Sequence, residues 1–151
     1  MTSIAELMTH DHRSCDHDFA RAETLAHKKD WNAAALALEA FTTGLEAHFQ
    51  AEEQELFPRF EAATGMTQGP TQVMRDEHAD MRATLAQLHA ALDSRDLDEF
   101  AGEAETLLIM MQQHNMKEEN ILYPMCALRL GGERDALVET LANRLAPEHA
   151  A

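Results

Sequence analysis

The chain has 151 residues, with 27 acidic and 12 basic side chains and a formal net charge of −15 when histidine is neutral. That length predicts one domain, and a charge so negative argues against nucleic acid or an anionic membrane as a partner, because both attract Lys and Arg. Valine and isoleucine, the aliphatic residues that strands favour, together number only five, so the composition predicts an all-helical, acidic, soluble domain.

Apolar residues recur at three- and four-residue steps through most of the chain, which is the period of an amphipathic helix. Ser3-Ile-Ala-Glu6 has the form of a capping box and predicts the start of the first helix. Asp30 is a good N-cap for a second helix that starts at Trp31. The segment 64–70, which contains two glycines and a proline, is the strongest predicted break.

A third helix follows this break and ends at the polar turn 93–96, and a fourth helix then runs to the glycine pair 131–132. Spaced leucines beyond this pair predict a short additional helix. Four helices with short connections indicate an up-down-up-down four-helix bundle. We therefore expect the bundle over residues 1–130, and a short C-terminal helix and tail over residues 131–151.

The chain contains an internal repeat with a shift of 66 residues. The coinciding pairs include Asp11 and Glu77, His12 and His78, His48 and His114, Glu52 and Glu118, Glu53 and Glu119, and Pro58 and Pro124. Apolar matches alone would follow from two amphipathic hairpins, but matched histidines, glutamates and a mid-helix proline do not. The repeating unit is therefore a helical hairpin that carries a histidine, a second histidine and then a glutamate.

Each repeated proline lies inside a predicted helix, shortly after a repeated glutamate. Because proline has no N–H, Pro58 removes the backbone bond to the carbonyl of Gln54, and Pro124 removes the bond to the carbonyl of Asn120. We expect a kink just beyond each glutamate.

The predicted turns bring the repeated histidines and glutamates to one height in the bundle. Two residues of an antiparallel hairpin lie level when the turn is midway between them, and the midpoint of each histidine pair is residue 30 or 96, inside a polar turn. Gly65, in the central break, is the midpoint of Glu52 and His78. We call these repeated histidines and glutamates the polar layer, and each lies on an otherwise apolar stripe of its helix. The polar layer consists of six residues: His12, His48, Glu52, His78, His114 and Glu118.

Six such groups in a bundle core need partners, because burying them alone is costly. They are too many for one tetrahedral zinc ion but suit two first-row metal ions with bridging carboxylates. Two dications also outweigh two glutamates in charge, which invites a bridging oxo or hydroxo group and leaves room for a small ligand. The alternative is a duplicated hairpin whose core histidines are satisfied by hydrogen bonds alone. Ferritin-like di-iron proteins use Glu-x-x-His, whereas this chain has His-x-x-x-Glu twice.

One pattern in the chain resembles the hemerythrin-like, or HHE cation-binding, domain. It consists of His12, the segment 48–58, His78 and the segment 114–124. The likeness covers about residues 5–130. The resemblance implies a four-helix bundle with a non-haem di-iron centre that binds O₂ or a related small ligand such as peroxide or nitric oxide. By position, the four histidines of the polar layer would be terminal iron ligands, and Glu52 and Glu118 would bridge the two ions.

The chain departs from oxygen-carrying hemerythrins at two points. Those proteins have a second histidine one turn from the third-helix ligand, but the neighbours of His78 here are Met74 and Arg82. They also place the last carboxylate five residues after its histidine, which Glu119 would satisfy, whereas the repeat favours Glu118. We expect a protein that binds or senses O₂. The alternatives are an iron storage or sensing module and a di-iron redox enzyme such as a peroxide reductase, although no separate catalytic acid–base pair is predicted.

The other histidines have no repeat partner and are expected at the surface: His10, His17, His27, His89 and His149. Asp16 lies one turn after His12, and we expect it to be solvated or to contact a ligand histidine. Cys15 is expected to pack as a small apolar side chain, with a redox or ligand role as the alternative. Cys126 lies too far along its helix to pair with it.

The start of the chain carries an early acid and no basic segment, so it is not typical of a signal peptide. The longest apolar runs, such as 33–38 and 107–111, fall far short of the ~20 residues that span a bilayer. Two cysteines without a secretory signal favour reduced thiols. We therefore expect a cytoplasmic protein; the sequence leaves assembly into a homo-oligomer open.

Overall fold

Helices form nearly all of the computed structural model, which describes residues 2–145, and no strand occurs in that range. Two of the long helices are each continued through a π-helical turn into a shorter helix. In chain order the helices are α1 (Ile4–His27), α2 (Trp31–Ala51), α3 (Phe57–Thr64), α4 (Pro70–Asp93), α5 (Leu97–Lys117), α6 (Tyr123–Arg129) and α7 (Arg134–Leu145). The π turns are Glu52–Leu56 and Glu118–Leu122, and a 3₁₀ turn, Gly131–Glu133, precedes α7.

The helices pack as two antiparallel hairpins, α1 with α2 and α4 with α5. The hairpins are joined where α2 contacts α4 and where α1 contacts α5. This closed ring of neighbours confirms the predicted four-helix bundle. The additional helix α7 lies against α1, α2 and the first π turn, and it buries Leu137 and Leu141 there.

The turns at the ends of the two hairpins have the same geometry. Lys29 and Arg95, which are repeat equivalents, both have positive φ, at 59° and 55°. The next residue in each turn caps the following helix, because Asp30 accepts from the N–H of residue 33 and Asp96 accepts from that of residue 99. Matching turns set the same register in both hairpins, and this register aligns the histidines.

The repeated prolines are accommodated by π turns, which is the form that the predicted kink takes. The N–H of Phe57 bonds to the carbonyl of Glu52, five residues earlier, and the same bond recurs in the second turn. Pro58 then falls at the start of α3, where its missing N–H breaks no helical bond. Because π turns often occur at functional sites, it is notable that Glu52 and Glu118 each open one.

The bundle core consists of two hydrophobic clusters separated by the polar layer. Along α1, Met8 belongs to one cluster and Cys15 to the other, and His12 lies between them. Along α4, His78 lies in the same way between Met74 and Met81. Apolar packing therefore encloses the polar layer from both ends of the bundle.

Candidate metal centre

All six side chains of the polar layer are buried, with between 0% and 5% of their surface exposed. Ligand-type atoms of Glu52, His78, His114 and Glu118 lie within 4.8 Å of one another, and so do those of His12, His48 and Glu118. The two groups share Glu118. The structure thus brings together every residue that the repeat and the turn positions predicted for one layer.

Several atoms of this layer lack the partners that buried polar groups require. The Nε2 atom of His78 lies 3.1 Å from Glu52 Oε1, and the Nε2 atom of His114 lies 3.3 Å from Glu118 Oε2. None of these four atoms makes a hydrogen bond. Buried polar atoms without partners are costly, and imidazole nitrogens that face carboxylate oxygens are suitable donors for a first-row cation. The residues therefore fit a metal site.

A second set of carboxylates holds the outer nitrogen of each imidazole. Each Nδ1 atom contacts one carboxylate: His12 with Glu119 at 2.7 Å, His48 with Asp11 at 2.7 Å, His78 with Glu53 at 2.6 Å, and His114 with Glu77 at 2.8 Å. An ionised carboxylate only accepts hydrogen bonds, so Nδ1 carries the proton and Nε2 is free to bind a cation. This is the usual arrangement around histidine ligands of metals.

These four carboxylates obey the 66-residue repeat, because Asp11 corresponds to Glu77 and Glu53 to Glu119. Each is adjacent in sequence to a residue of the polar layer. Sequence reasoning recognised the repeat pairs but assigned them no role, since the contact of Nδ1 runs between helices. Of the two candidates for the last carboxylate, Glu118 faces the polar layer, and Glu119 contacts His12 from outside it.

Two basic side chains, Arg82 and Lys117, neutralise the outer carboxylates on one side of the centre. Arg82 donates to both Glu53 and Glu46, with its closest approaches at 2.9 Å and 2.8 Å. Lys117 pairs with Glu77. Arg82 lies one turn from His78, a position where oxygen-carrying hemerythrins could have their additional histidine. Its guanidinium contacts these carboxylates and does not face the polar layer.

In the polar layer, buried glutamates face buried imidazoles, and each group shifts the pKa of the other. Burial alone would lower the pKa of His114, but the carboxylates of Glu118 and Glu52, with the hydrogen bond that His114 donates to Glu77, raise it to about 9. Burial alone would raise the pKa of Glu118, but the facing histidines, His114 first, hold it well below its usual range. A proton on His114 thus balances the charge of Glu118, and a metal ion would replace that proton and supply the same positive charge.

The phenol of Tyr123 is a further member of the site that sequence reasoning missed. Its hydroxyl donates to Glu52 Oε2 at 2.8 Å or Glu118 Oε1 at 3.0 Å, and lies 3.3 Å and 3.4 Å from the Nε2 atoms of His12 and His48. Burial, followed by both glutamates, raises the pKa of the phenol well above its usual value. The signal in the sequence was the repeat itself, because Tyr123 falls on Phe57 and only one of the two carries a hydroxyl.

Aromatic rings close the centre on the other side. Phe49 stacks on His78 with ring centroids 3.9 Å apart, and the ring of Phe57 lies 5.8 Å from the same imidazole. Both phenylalanines are at most 2% exposed. Water is therefore kept from the His78 side of the layer.

The remaining histidines lie outside the polar layer. His10, His17 and His27 are exposed, as expected. His89 corrects one expectation, because it is half-buried and its Nε2 atom lies 2.7 Å from the Thr42 hydroxyl, which fixes it between helices. His149 lies outside the described residues.

The two cysteines are free and buried. Burial, followed by the charge of Asp11, raises the pKa of Cys15 to about 12, and burial raises that of Cys126 to about 12. Both thiols are therefore protonated and act as small apolar side chains. Asp16 is exposed, and the contact to His12 is made by Glu119 instead.

The comparisons with known proteins agree with this geometry. The profile of the Hemerythrin HHE cation binding domain matches residues 3–126, so the chain belongs to the hemerythrin family. It is similar to a protein of Nostoc sp. described as a DNA nickase, with 32% identity over 90 residues. That stretch covers 60% of this chain and 24% of the Nostoc protein, so the chain matches about a quarter of its relative's length.

No solved structure matches the chain. None of the helices within residues 2–145 has the length and apolar character needed to cross a bilayer. The family and the buried histidine–glutamate cluster together indicate a cation-binding domain.

Proposed function

We propose that this chain is a non-haem di-iron protein that binds or senses O₂ or a related small ligand. In this proposal the bundle, residues 1–130, carries the centre, and the six residues of the polar layer are the ligands: His12, His48, His78 and His114 as terminal ligands, and Glu52 and Glu118 as bridges. A bridging oxo or hydroxo group would complete the charge balance.

The observation that carries this proposal is the double grouping of inward-facing donors. One group contains two histidines and two glutamates, the other contains two histidines and a glutamate, and Glu118 belongs to both. Four imidazoles and two carboxylates exceed the needs of one tetrahedral ion. Mixed nitrogen and oxygen donors suit iron among the first-row metals, and the hemerythrin family adds the precedent of a cation site.

The side chains of this protein would bind the iron ions, orient the ligand imidazoles and shield the centre from water. Carboxylates on the Nδ1 atoms fix the rotation of all four rings, so each Nε2 is aimed inward before a metal arrives. Phe49 and Phe57 exclude water beside His78. Bound ferrous ions would supply the electrons that O₂ chemistry requires.

A second candidate, iron storage or sensing without oxygen chemistry, is favoured by one observation. Arg82 lies one turn from His78 and points to Glu46 and Glu53, so it adds a positive charge near the centre and no ligand. The centre consequently has four histidines. A peroxide reductase is a weaker candidate, because each carboxylate beside the polar layer is already hydrogen-bonded to a histidine Nδ1 atom.

The activity of the Nostoc relative is not part of this proposal. This chain matches only 24% of the Nostoc protein. The net charge of this chain, −15, repels a nucleic-acid phosphate backbone.

Anaerobic loading with Fe(II), followed by metal counting and exposure to air, tests the proposal. We expect two irons per chain and a new charge-transfer absorption after air is admitted. His78→Ala should lower the iron count, whereas His10→Ala, which changes an exposed histidine, should not. Fewer than two irons in the unaltered protein would refute the di-iron centre. Two irons with no spectral response to air would favour the second candidate, a protein that stores or senses iron without oxygen chemistry.

A further inference from the structure

We propose that the two metal positions are inequivalent, and that Tyr123 binds the metal ion beside His12 and His48 through its phenol oxygen. The proposal rests on the di-iron function above and adds a seventh ligand that breaks its symmetry. It assigns this position to a ferric ion and the position beside His78 and His114 to the ion that stays ferrous more readily.

The first support is the position of the phenol oxygen. It lies 3.3 Å from His12 Nε2 and 3.4 Å from His48 Nε2, while touching one oxygen of each glutamate. A cation held by both imidazoles at about 2 Å would lie within reach of that oxygen. Tyr123 is 0% exposed and is held by α6, directly after the π turn that begins with Glu118.

The second support is the number of other donors on each side. Four groups converge beside His78, namely two imidazoles and both glutamates, whereas three converge beside His12, namely two imidazoles and Glu118. The phenol oxygen is on the side with fewer donors. Its addition brings the donors grouped beside His12 to four, as many as are grouped beside His78. With Glu52 bridging as proposed, the His12 position would have five protein ligands and its neighbour four, so the two positions would differ.

The third support is the repeat equivalent of Tyr123. Phe57 occupies the same repeat position, is also 0% exposed, and lies beside His78. A ring of the same size therefore satisfies packing at this position, so packing does not account for the hydroxyl. The hydroxyl is also expensive to bury unless it has a polar task.

The fourth support is the charge outside the ligands. On the His78 side, Arg82 neutralises Glu53 and Lys117 neutralises Glu77. Their repeat equivalents, Glu119 and Asp11, pair with no Lys or Arg among residues 2–145. Unneutralised carboxylates stabilise a more highly charged ion, and a ferric ion is the one that binds a phenolate oxygen best.

The binding step replaces the phenol proton with the ferric ion. The O–H bond breaks, its proton leaves to water, and the oxygen lone pair forms the bond to the ferric ion, with no change in oxidation state. Dioxygen is the oxidant that generates the ferric ion from Fe(II) beforehand, and each iron that is oxidised passes one electron to dioxygen, which is reduced to superoxide or, with two electrons, to peroxide.

Resonance Raman spectroscopy of the iron-loaded, air-exposed protein tests this directly, alongside an iron count on the same sample. Tyr123 is the only tyrosine in the chain, so tyrosinate ring modes enhanced under a visible charge-transfer band can come from no other residue. We expect these modes in the unaltered protein. Tyr123→Phe should remove them while the protein remains folded, because Phe57 already fills the equivalent position.

Phe57→Tyr is the matched control, since it places a second hydroxyl on the side whose outer charges are neutralised. We expect the tyrosinate modes of that variant to match those of the unaltered protein in intensity per chain. A doubled intensity would refute the assignment of the two sides.

The outcomes separate this proposal from the di-iron function. Bound iron without tyrosinate modes in the unaltered protein would overturn the role of Tyr123, whatever the iron count. Fewer than two irons with clear tyrosinate modes would overturn the di-iron proposal and retain the Tyr123 ligand. No bound iron would overturn both.

Discussion

Replacing Glu53 by glutamine isolates the effect of one outer carboxylate on metal binding. Glu53 Oε2 lies 2.6 Å from His78 Nδ1, and the two hydrogen-bonded partners His78 and Arg82 hold its pKa at about 2 although burial opposes this. The glutamine oxygen still accepts from Nδ1, so the ring keeps its orientation. What is lost is the negative charge that makes Nε2 a stronger donor.

The expected loss is at the lower end of the range for such partners. Removing an outer-shell partner of a metal ligand costs about 10- to 100-fold in affinity, or about 1.4–2.7 kcal/mol. Glu53→Gln retains the hydrogen bond, and Arg82 already offsets part of the charge. We therefore expect about a tenfold weaker affinity for the more affected ion.

Anaerobic competition for Fe(II) against a colorimetric chelator measures this change. Glu55→Gln is the matched control, because Glu55 lies in the same π turn and pairs with Arg59 and Arg144 instead of a histidine. Equal affinities for the two variants would show that His78 is not a ligand tuned by Glu53, and the reasoning would fail.

Three further predictions concern the protein freed of metal. Phe41→Ala, at a side chain with 0% exposure, should lower the free energy of unfolding in urea by about 3–5 kcal/mol, whereas Leu36→Ala, 76% exposed, should change it by less than about 0.5 kcal/mol. His114 has its pKa raised from 6.5 to about 9, so its stabilisation is complete below pH 6.5 and is lost as the pH rises through 9; a melting temperature that rises over that interval would contradict this. Lys29→Gly, at φ 59°, should raise the free energy of unfolding by about 1 kcal/mol, because glycine adopts positive φ without strain. Lys28→Gly, at φ −80°, should lower the free energy of unfolding.

The architecture was predictable because local and repeated signals agree. Ser3, Asp30 and Asp96 cap their helices where the sequence indicates. Since the turn positions set the register of antiparallel helices, the level of His12 and His48 followed from Asp30 alone. The polar layer was therefore deducible before any contact was known.

The outer parts of the site were not predictable in the same way. Whether Glu118 or Glu119 faces inward depends on the π turn, which changes the direction of successive side chains. The hydrogen bond that His12 donates to Glu119 joins residues that are 107 positions apart. Such pairings depend on the rotation of each helix about its axis, which periodicity defines too coarsely.

Diffraction from crystals of the iron-loaded protein, recorded at the iron absorption edge, tests the central claim most directly. The account predicts two anomalous peaks per chain, about 3.5–4 Å apart, one beside His12 and His48 and the other beside His78 and His114, with Glu118 between them. A single peak, or peaks away from the polar layer, would contradict it.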